Sequence, residues 1–302
     1  MNETVLHSTP YLPRSEAADS NEVAPNTGDR ALTANRRELK YCVPPRRLTE
    51  LTPALDSHLE RYRFTGAGAT RLPGANFWST TIYFDTSDQQ LYRQILTGNR
   101  QTKIRAREYY TFHPALTEIA TSPEQLVRYG SNVWLEVKTR DQSRVRKHRM
   151  VIPKQDLHKF MLSPCATEEL LAIQPGYEQD EVSASSQVAA VVAQCKKYVP
   201  LLPQLVVNYQ RMSWQDKSGS LRLTLDRRVS FFEPQPDLWT RKTALERSSL
   251  GEAREDFLQY ILEVKTLGSE LPSWLTKALQ GVELEASEMS KFATGMDALY
   301  PR

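Results

Sequence analysis

The chain has 302 residues, 40% hydrophobic and 25% charged, which is ordinary for a globular protein with material for a sizeable core. Its 39 basic and 36 acidic residues leave a net charge of only +3, which excludes a uniformly basic nucleic-acid binder. Three widely separated cysteines (Cys42, Cys165, Cys195) without a CxxC spacing argue against a disulfide framework or a zinc site and for a reducing, cytoplasmic setting.

Residues 1–33 are rich in Ser, Thr, Asn, Pro and Glu and carry no apolar h-region, so they read as a disordered tail rather than a signal peptide. No uncharged apolar run approaches the roughly 20 residues of a membrane span. The ordered domain is expected over 34–302, beginning with a strand at Arg36–Val43 that stops at Pro44-Pro45. Leu48, Leu51, Leu55, Leu59 and Tyr62 then recur at helical spacing. After a Gly/Ala-rich stretch (66–74), Phe77–Asp85 is dense in strand formers, and Lys103–Tyr109 alternates as a second strand. Trp134–Arg140 and Val145–Ile152 flank a hairpin turn at 141–144. Residues 154–198 read as helical or irregular, with Ser185–Tyr198 the best helix. Strands resume at Leu205–Trp214 and Leu221–Val229 around the turn Asp216–Gly219, and two short helices are expected around Gly281. Antiparallel β-structure with peripheral helices fits this order, with no parallel α/β alternation.

The pentapeptide Leu-Glu-Val-Lys-Thr occurs twice, at 135–139 and 262–266. In a strand, side chains alternate between faces, so Glu136 joins Lys138, and Glu263 joins Lys265, opposite Leu, Val and Thr. The same arrangement recurs along the chain. Glu38 and Lys40 share a face, as do Lys103, Arg105 and Arg107, then Lys147 and Arg149, Tyr209 and Arg211, and Arg222, Thr224 and Asp226. One such strand is usually a solvated sheet face. A set of them, dominated by Arg and Lys, is different, because like charges on neighbouring strands repel. A polyanion held inside a closed, polar-lined barrel, with its apolar face outward under helices, removes that repulsion.

The ordered set Glu38-Leu39-Lys40-Tyr41, Tyr83-Phe84-Asp85-Thr86, Lys103–Arg107, Trp134–Lys138, Lys147-His148-Arg149, Tyr209-Gln210-Arg211, Arg222–Asp226, Leu262–Lys265 and Ser290-Lys291-Phe292 resembles the VTC domain, a branch of the triphosphate tunnel metalloenzymes. The resemblance covers about 35–300. It implies an α+β fold built on an eight-stranded antiparallel tunnel, and an ATP-dependent polyphosphate polymerase that adds the γ-phosphoryl group of ATP to a growing chain. Tripolyphosphate hydrolysis on the same fold, or non-catalytic binding of polyphosphate or a nucleotide, are the alternatives. Carried over by position, Lys40, Arg105, Arg107, Lys138, Lys147, Arg211, Arg222 and Lys291 are the catalytic bases. Arg93, Arg149, Tyr209, Lys265 and Ser290 would bind substrate. Glu263, with Glu136 and Glu38 as secondary candidates, would hold Mn²⁺ or Mg²⁺, and Asp226 would bind metal or orient bases. The implied ligands are ATP and inorganic polyphosphate, with no nucleic acid; a membrane-protein partner is compatible with the sequence. Many tunnel phosphatases begin with Glu-x-Glu-x-Lys, whereas this chain reads Arg36-Arg37-Glu38-Leu39-Lys40, a departure that favours the polymerase branch over a two-metal hydrolase. His148, between two bases, points away from them and is expected to pack.

Overall fold

The computed structural model describes residues 37–61, 76–98, 100–110, 132–141, 144–174, 181–236, 238 and 245–301; the proposed tail, Tyr62 and the tip of the 141–144 turn lie outside them. Each stretch of period-two alternation forms a strand. In chain order these are β1 (Arg37–Val43), β2 (Glu60–Arg61), β3 (Asn76–Asp85), β4 (Arg100–Tyr110), β5 (Asn132–Asp141), β6 (Arg144–Pro153), β7 (Leu202–Gln215), β8 (Leu221–Phe232), β9 (Glu255–Phe257) and β10 (Tyr260–Thr266). Interleaved are the helices α1 (Leu48–His58), α2 (Gln90–Thr97), α3 (Lys154–Leu162), α4 (Glu168–Ala172), α5 (Glu181–Cys195), α6 (Ser273–Gly281) and α7 (Lys291–Leu299).

Eight strands run as one sheet in the order β1-β10-β8-β7-β3-β4-β5-β6, with β2 added beside β7 and β9 beside β8. Every ladder is antiparallel. The first and last strands therefore meet at one side of the sheet, where β1 pairs with β10.

Strand alternation sorts the sheet into two faces. Leu39, Tyr41, Leu223, Leu225, Leu262, Val264, Met212 and Trp214 face outward and form one core with Leu51 and Leu55 of α1 and Leu275 and Leu279 of α6. On the other wing, Ile104, Ala106, Leu135, Val137 and Met150 pack with Val188 and Val191 of α5. Full burial of one such aliphatic side chain is worth about 1.5–3 kcal/mol, so the helices hold the sheet from its apolar back. His148 lies on this outer side, its Nδ1 3.3 Å from Gln187 Oε1 of α5, a packing role as the sequence predicts.

The expected closed barrel is corrected here. The sheet curls into a half-barrel, and β1 and β6 are its edges, with no ladder between them. The free edge of β1 is instead occupied by the segment leading into α7. Tyr41 forms an isolated bridge with Ala286, and Ser287 N donates to Lys40 O at 2.7 Å. These contacts occupy the Lys40–Tyr41 part of the edge that a closing strand would need.

Candidate functional site

The concave face collects the alternating charged residues. Directly opposed residues of an antiparallel pair share a face, so register alone assembles the site. Across β1 and β10, Lys40 faces Glu263 and Glu38 faces Lys265. Lys265 in turn faces Arg222 on β8, and Asp226 faces Arg211 on β7. In the middle of the sheet Ser79 lies between Tyr209 and Tyr109, while Thr81 faces Arg107 and Tyr83 faces Arg105. On the far wing Lys103 faces Lys138, Arg105 faces Glu136 and Arg107 faces Trp134. Glu136 and Lys138 face Arg149 and Lys147 on β6.

Side chains tie these rows together. Glu136, only 3% exposed, accepts from Arg105 Nε at 2.8 Å and lies 2.5 Å from Lys147 Nζ, with Arg107 Nη1 at 3.9 Å. Asp226 is held in a two-pronged fork by Arg211, Nε to Oδ1 at 2.5 Å and Nη2 to Oδ2 at 2.7 Å, and by Lys291 Nζ at 2.6 Å. Glu263 pairs with Lys265. Glu38 lies 3.8 Å from Lys40 Nζ and 3.6 Å from Lys138 Nζ. The Glu38–Lys138 contact spans from the first strand of the sheet to its seventh, a direct measure of how far the sheet curls.

The N-terminus of α7 enters the same space. Ser290 caps the helix by accepting from Ala293 N at 3.4 Å, and its Oγ accepts from Lys103 Nζ at 2.8 Å. Lys40 Nζ donates to Met289 O at 3.1 Å. Lys291 lies 5.0 Å from the centre of the Tyr209 ring, and Arg211 lies 5.2 Å from it.

The field is strongly positive yet structured. Burial opposes ionisation of Glu136, but Lys147, Arg105 and Arg107 outweigh it and hold its carboxyl well below the usual range. Burial likewise opposes Glu263, and Lys265, Arg211 and Lys40 outweigh it to the same effect. Glu38 feels first the repulsion of Glu263 and then burial, and Lys265, Lys138 and Lys40 still bring it below its ordinary value. Asp226 is lowered against burial by Arg211 and Lys291. Burial raises Tyr209, but Arg107 and Arg211 pull it below a normal phenol. Lys103 moves the other way. Burial, reinforced by Lys40, Lys138 and Arg105, depresses it to about 7.

Of the residues carried over from the sequence, Lys40, Arg105, Arg107, Lys138, Lys147, Arg149, Tyr209, Arg211, Arg222, Lys265, Ser290 and Lys291 all reach this face, with Glu38, Glu136, Asp226 and Glu263 among them. Arg93 does not. It sits on α2, more than half exposed, with its guanidinium on Asp88. Residues on the face that were not among the assigned bases or ligands include Lys103, Ser79 and Trp134. All are in the period-two phase of their strands, which is the signal that finds them. The Ser79 hydroxyl, the Trp134 indole N–H, the Tyr209 hydroxyl and the Thr224 hydroxyl are buried without a hydrogen-bond partner among the described residues. Orphaned buried groups are rare in native proteins, and here four of them belong to one face.

Among the described residues no group of three or more His, Cys, Asp or Glu side chains is positioned to hold a metal. The best fit for a divalent cation lies between Glu38 and Glu263, whose mutual repulsion is the largest influence on Glu38. Two carboxylates suit a hard cation of the Mg²⁺ type, which keeps waters and shares itself with substrate phosphates. Glu136 and Asp226 fit less well, since each has at least two cations within 2.8 Å, whereas Glu38 lies 3.8 and 3.6 Å from Lys40 and Lys138 and Glu263 is paired with Lys265.

No helix among the described residues is long and apolar enough to cross a membrane. No curated protein matches the chain. Among solved structures, it is similar to the PH1819 protein from Pyrococcus horikoshii OT3, at 12% identity and a TM-score of 0.39, with 86% of this chain and 99% of that chain covered. A model of the VTC domain matches residues 35–300, which includes every strand of the sheet and the whole of α7. This chain belongs to the VTC domain family.

Proposed function

We propose that this protein is an ATP-dependent polyphosphate polymerase, transferring the γ-phosphoryl group of ATP to the end of an inorganic polyphosphate chain. Membership of the VTC family is consistent with polyphosphate-related phosphotransfer. The observation that carries the reading is the convergence of Lys40, Arg105, Arg107, Lys138, Lys147, Arg211, Arg222, Lys265 and Lys291 from seven strands and a helix on one concave face. Only a ligand with many closely spaced negative charges matches that surface.

The chemistry asks little covalent work of the protein. A terminal oxygen of the acceptor phosphate attacks the γ-phosphorus, the bond to the β–γ bridging oxygen breaks, and ADP departs carrying that oxygen. The acceptor is already anionic, so no general base is needed. What remains is alignment and charge neutralisation in the transition state. Arg105, Arg107 and Arg211, fixed by buried carboxylates, supply planar forks suited to phosphate oxygens. Lys40, Lys138 and Lys291 add compact charges to the groove. A divalent cation held by Glu38 and Glu263, when bound, would supply further neutralisation of phosphate oxygens.

Incubation of the purified protein with ATP and Mn²⁺, followed by gel electrophoresis stained for polyphosphate, tests the proposal. Long polymer with ADP is expected. Orthophosphate without polymer would instead indicate hydrolysis, and tight binding without turnover a sensor. Arg107→Ala and Arg211→Ala should each cost about 2.7–4 kcal/mol of transition-state stabilisation, as loss of a buried charge-stabilising donor does. Glu263→Ala should abolish synthesis and retain part of the tripolyphosphate affinity; unchanged synthesis in that variant would refute its metal role.

A further inference from the structure

Two carboxylates in the basic groove are arranged unlike metal ligands. Glu136 and Asp226 are 3% and 0% exposed. Each lies at the centre of its own cationic cage, built from separate elements. Glu136 of β5 gathers Arg105 and Arg107 of β4 and Lys147 of β6. Asp226 of β8 gathers Arg211 of β7 and Lys291 of α7. At Asp226 the Arg211 fork spans both oxygens and Lys291 shares Oδ2, while at Glu136 Arg105 brings Nε and Nη2 to Oε2 and Lys147 takes Oε1; guanidinium and ammonium groups bind phosphate oxygens through the same charge-assisted contacts. A metal ion at either carboxylate would have to displace cations already in hydrogen-bonding contact. Both cages keep surplus positive charge, since one carboxylate faces three bases in the first and two in the second.

We infer that Glu136 and Asp226 are built-in stand-ins for substrate phosphate: positioning residues that hold the bases in register when the groove is empty and weaken the grip on polyphosphate when it is filled. The inference rests on the proposed phosphate function and refines it. A polymerase must let its product advance by one phosphate per turn, and a groove lined by unopposed bases would hold a polyanion too tightly to release it. Fixed internal anions lower the net field while preserving the geometry of the forks. They also explain how so many like charges coexist on neighbouring strands in the absence of ligand.

The test is direct binding of tripolyphosphate by calorimetry in EDTA, which removes any metal contribution, over a series of salt concentrations. Glu136→Gln and Asp226→Asn keep the shape and remove the charge. A unit charge roughly 6 Å from the ligand at an effective dielectric of about 20 is worth more than a factor of ten in affinity. Each variant is therefore expected to bind at least about tenfold more tightly than the parent at moderate salt. The salt dependence should steepen, a response that loss of a purely structural contact would not produce. In the polymer assay the expected signature is a lower KM with a lower kcat. Equal or weaker binding by the folded variants would overturn the inference while leaving the phosphate function standing. Absence of tripolyphosphate binding by the parent protein would overturn both. Because the two cages are separate, Asp226→Asn decides the matter if Glu136→Gln fails to fold, as judged by circular dichroism and thermal unfolding.

Discussion

Lys103 is the residue whose environment departs furthest from its sequence appearance. An unfolded lysine titrates near 10.4, whereas burial among Lys40, Lys138 and Arg105 brings Lys103 to about 7. Between those values the unfolded chain binds more protons, so stability rises with pH across that window. Below about pH 7 the full penalty of a buried ammonium is present. Lys103→Met should accordingly be more thermally stable than the parent at pH 6, with the advantage shrinking by pH 9; a constant gap across that range would contradict the depressed titration. A bound polyanion should restore the charge, so tripolyphosphate binding at pH 8 should take up protons, seen as a dependence of calorimetric heat on the ionisation enthalpy of the buffer. Lys147, pushed by burial to about 8 against the pull of Glu136, contributes to the same uptake. Period-two spacing placed Lys103 on the charged face. It could not show the depression, which depends on Lys40 and Lys138 arriving from strands far away in sequence.

At the level of elements, α7 links the groove to the core. Gly295 lies where the helix crosses the sheet, and a Cβ there would meet Leu205 Cδ2 at 2.5 Å and Phe231 Cδ1 at 2.7 Å. Phe292, one turn earlier, stacks on Tyr83 with ring centres 4.9 Å apart. Gly295→Val should push the helix off the sheet, costing about 1–3 kcal/mol by overpacking. It should also weaken tripolyphosphate binding, because Ser290 and Lys291 move with the helix; denaturant unfolding and calorimetry check the two effects. By contrast, α2 serves the scaffold alone. Its first-turn N–H groups at Leu91 and Tyr92 donate to Asp85 at 2.8 Å each. Asp85→Ala should destabilise the fold by about 1–3 kcal/mol, the cost of orphaned buried donors, while the folded fraction keeps its affinity. The strands were legible because alternation is local. Helix α2 was not, since its N-cap, Gln89, sits at φ 58° with no side-chain cap, and its capping carboxylate lies several residues upstream on a strand.

The whole molecule is a curled antiparallel sheet with an apolar back and a charged hollow, and that much was readable from alternation and composition. Closure was not readable. Whether β1 pairs with β6 depends on what occupies the free edge of β1, and the occupant, Ala286–Ser287, carries no strand pattern. Arg93 failed for a related reason: it was carried over by position from the resemblance, and the helix it belongs to was hidden. The capped edge of β1 also bears on time. One side of this strand is paired by Tyr260–Thr266 and the other by Ala286 and Ser287, all of them made long after it during synthesis. Until those residues emerge, β1 has no ladder partner on either side, and contacts of such long sequence separation form slowly. Glu38 and Lys40 thus stay in water while the middle of the sheet assembles. The groove proposed to bind phosphate is completed last, when the final strand and the helix that follows it close over the first.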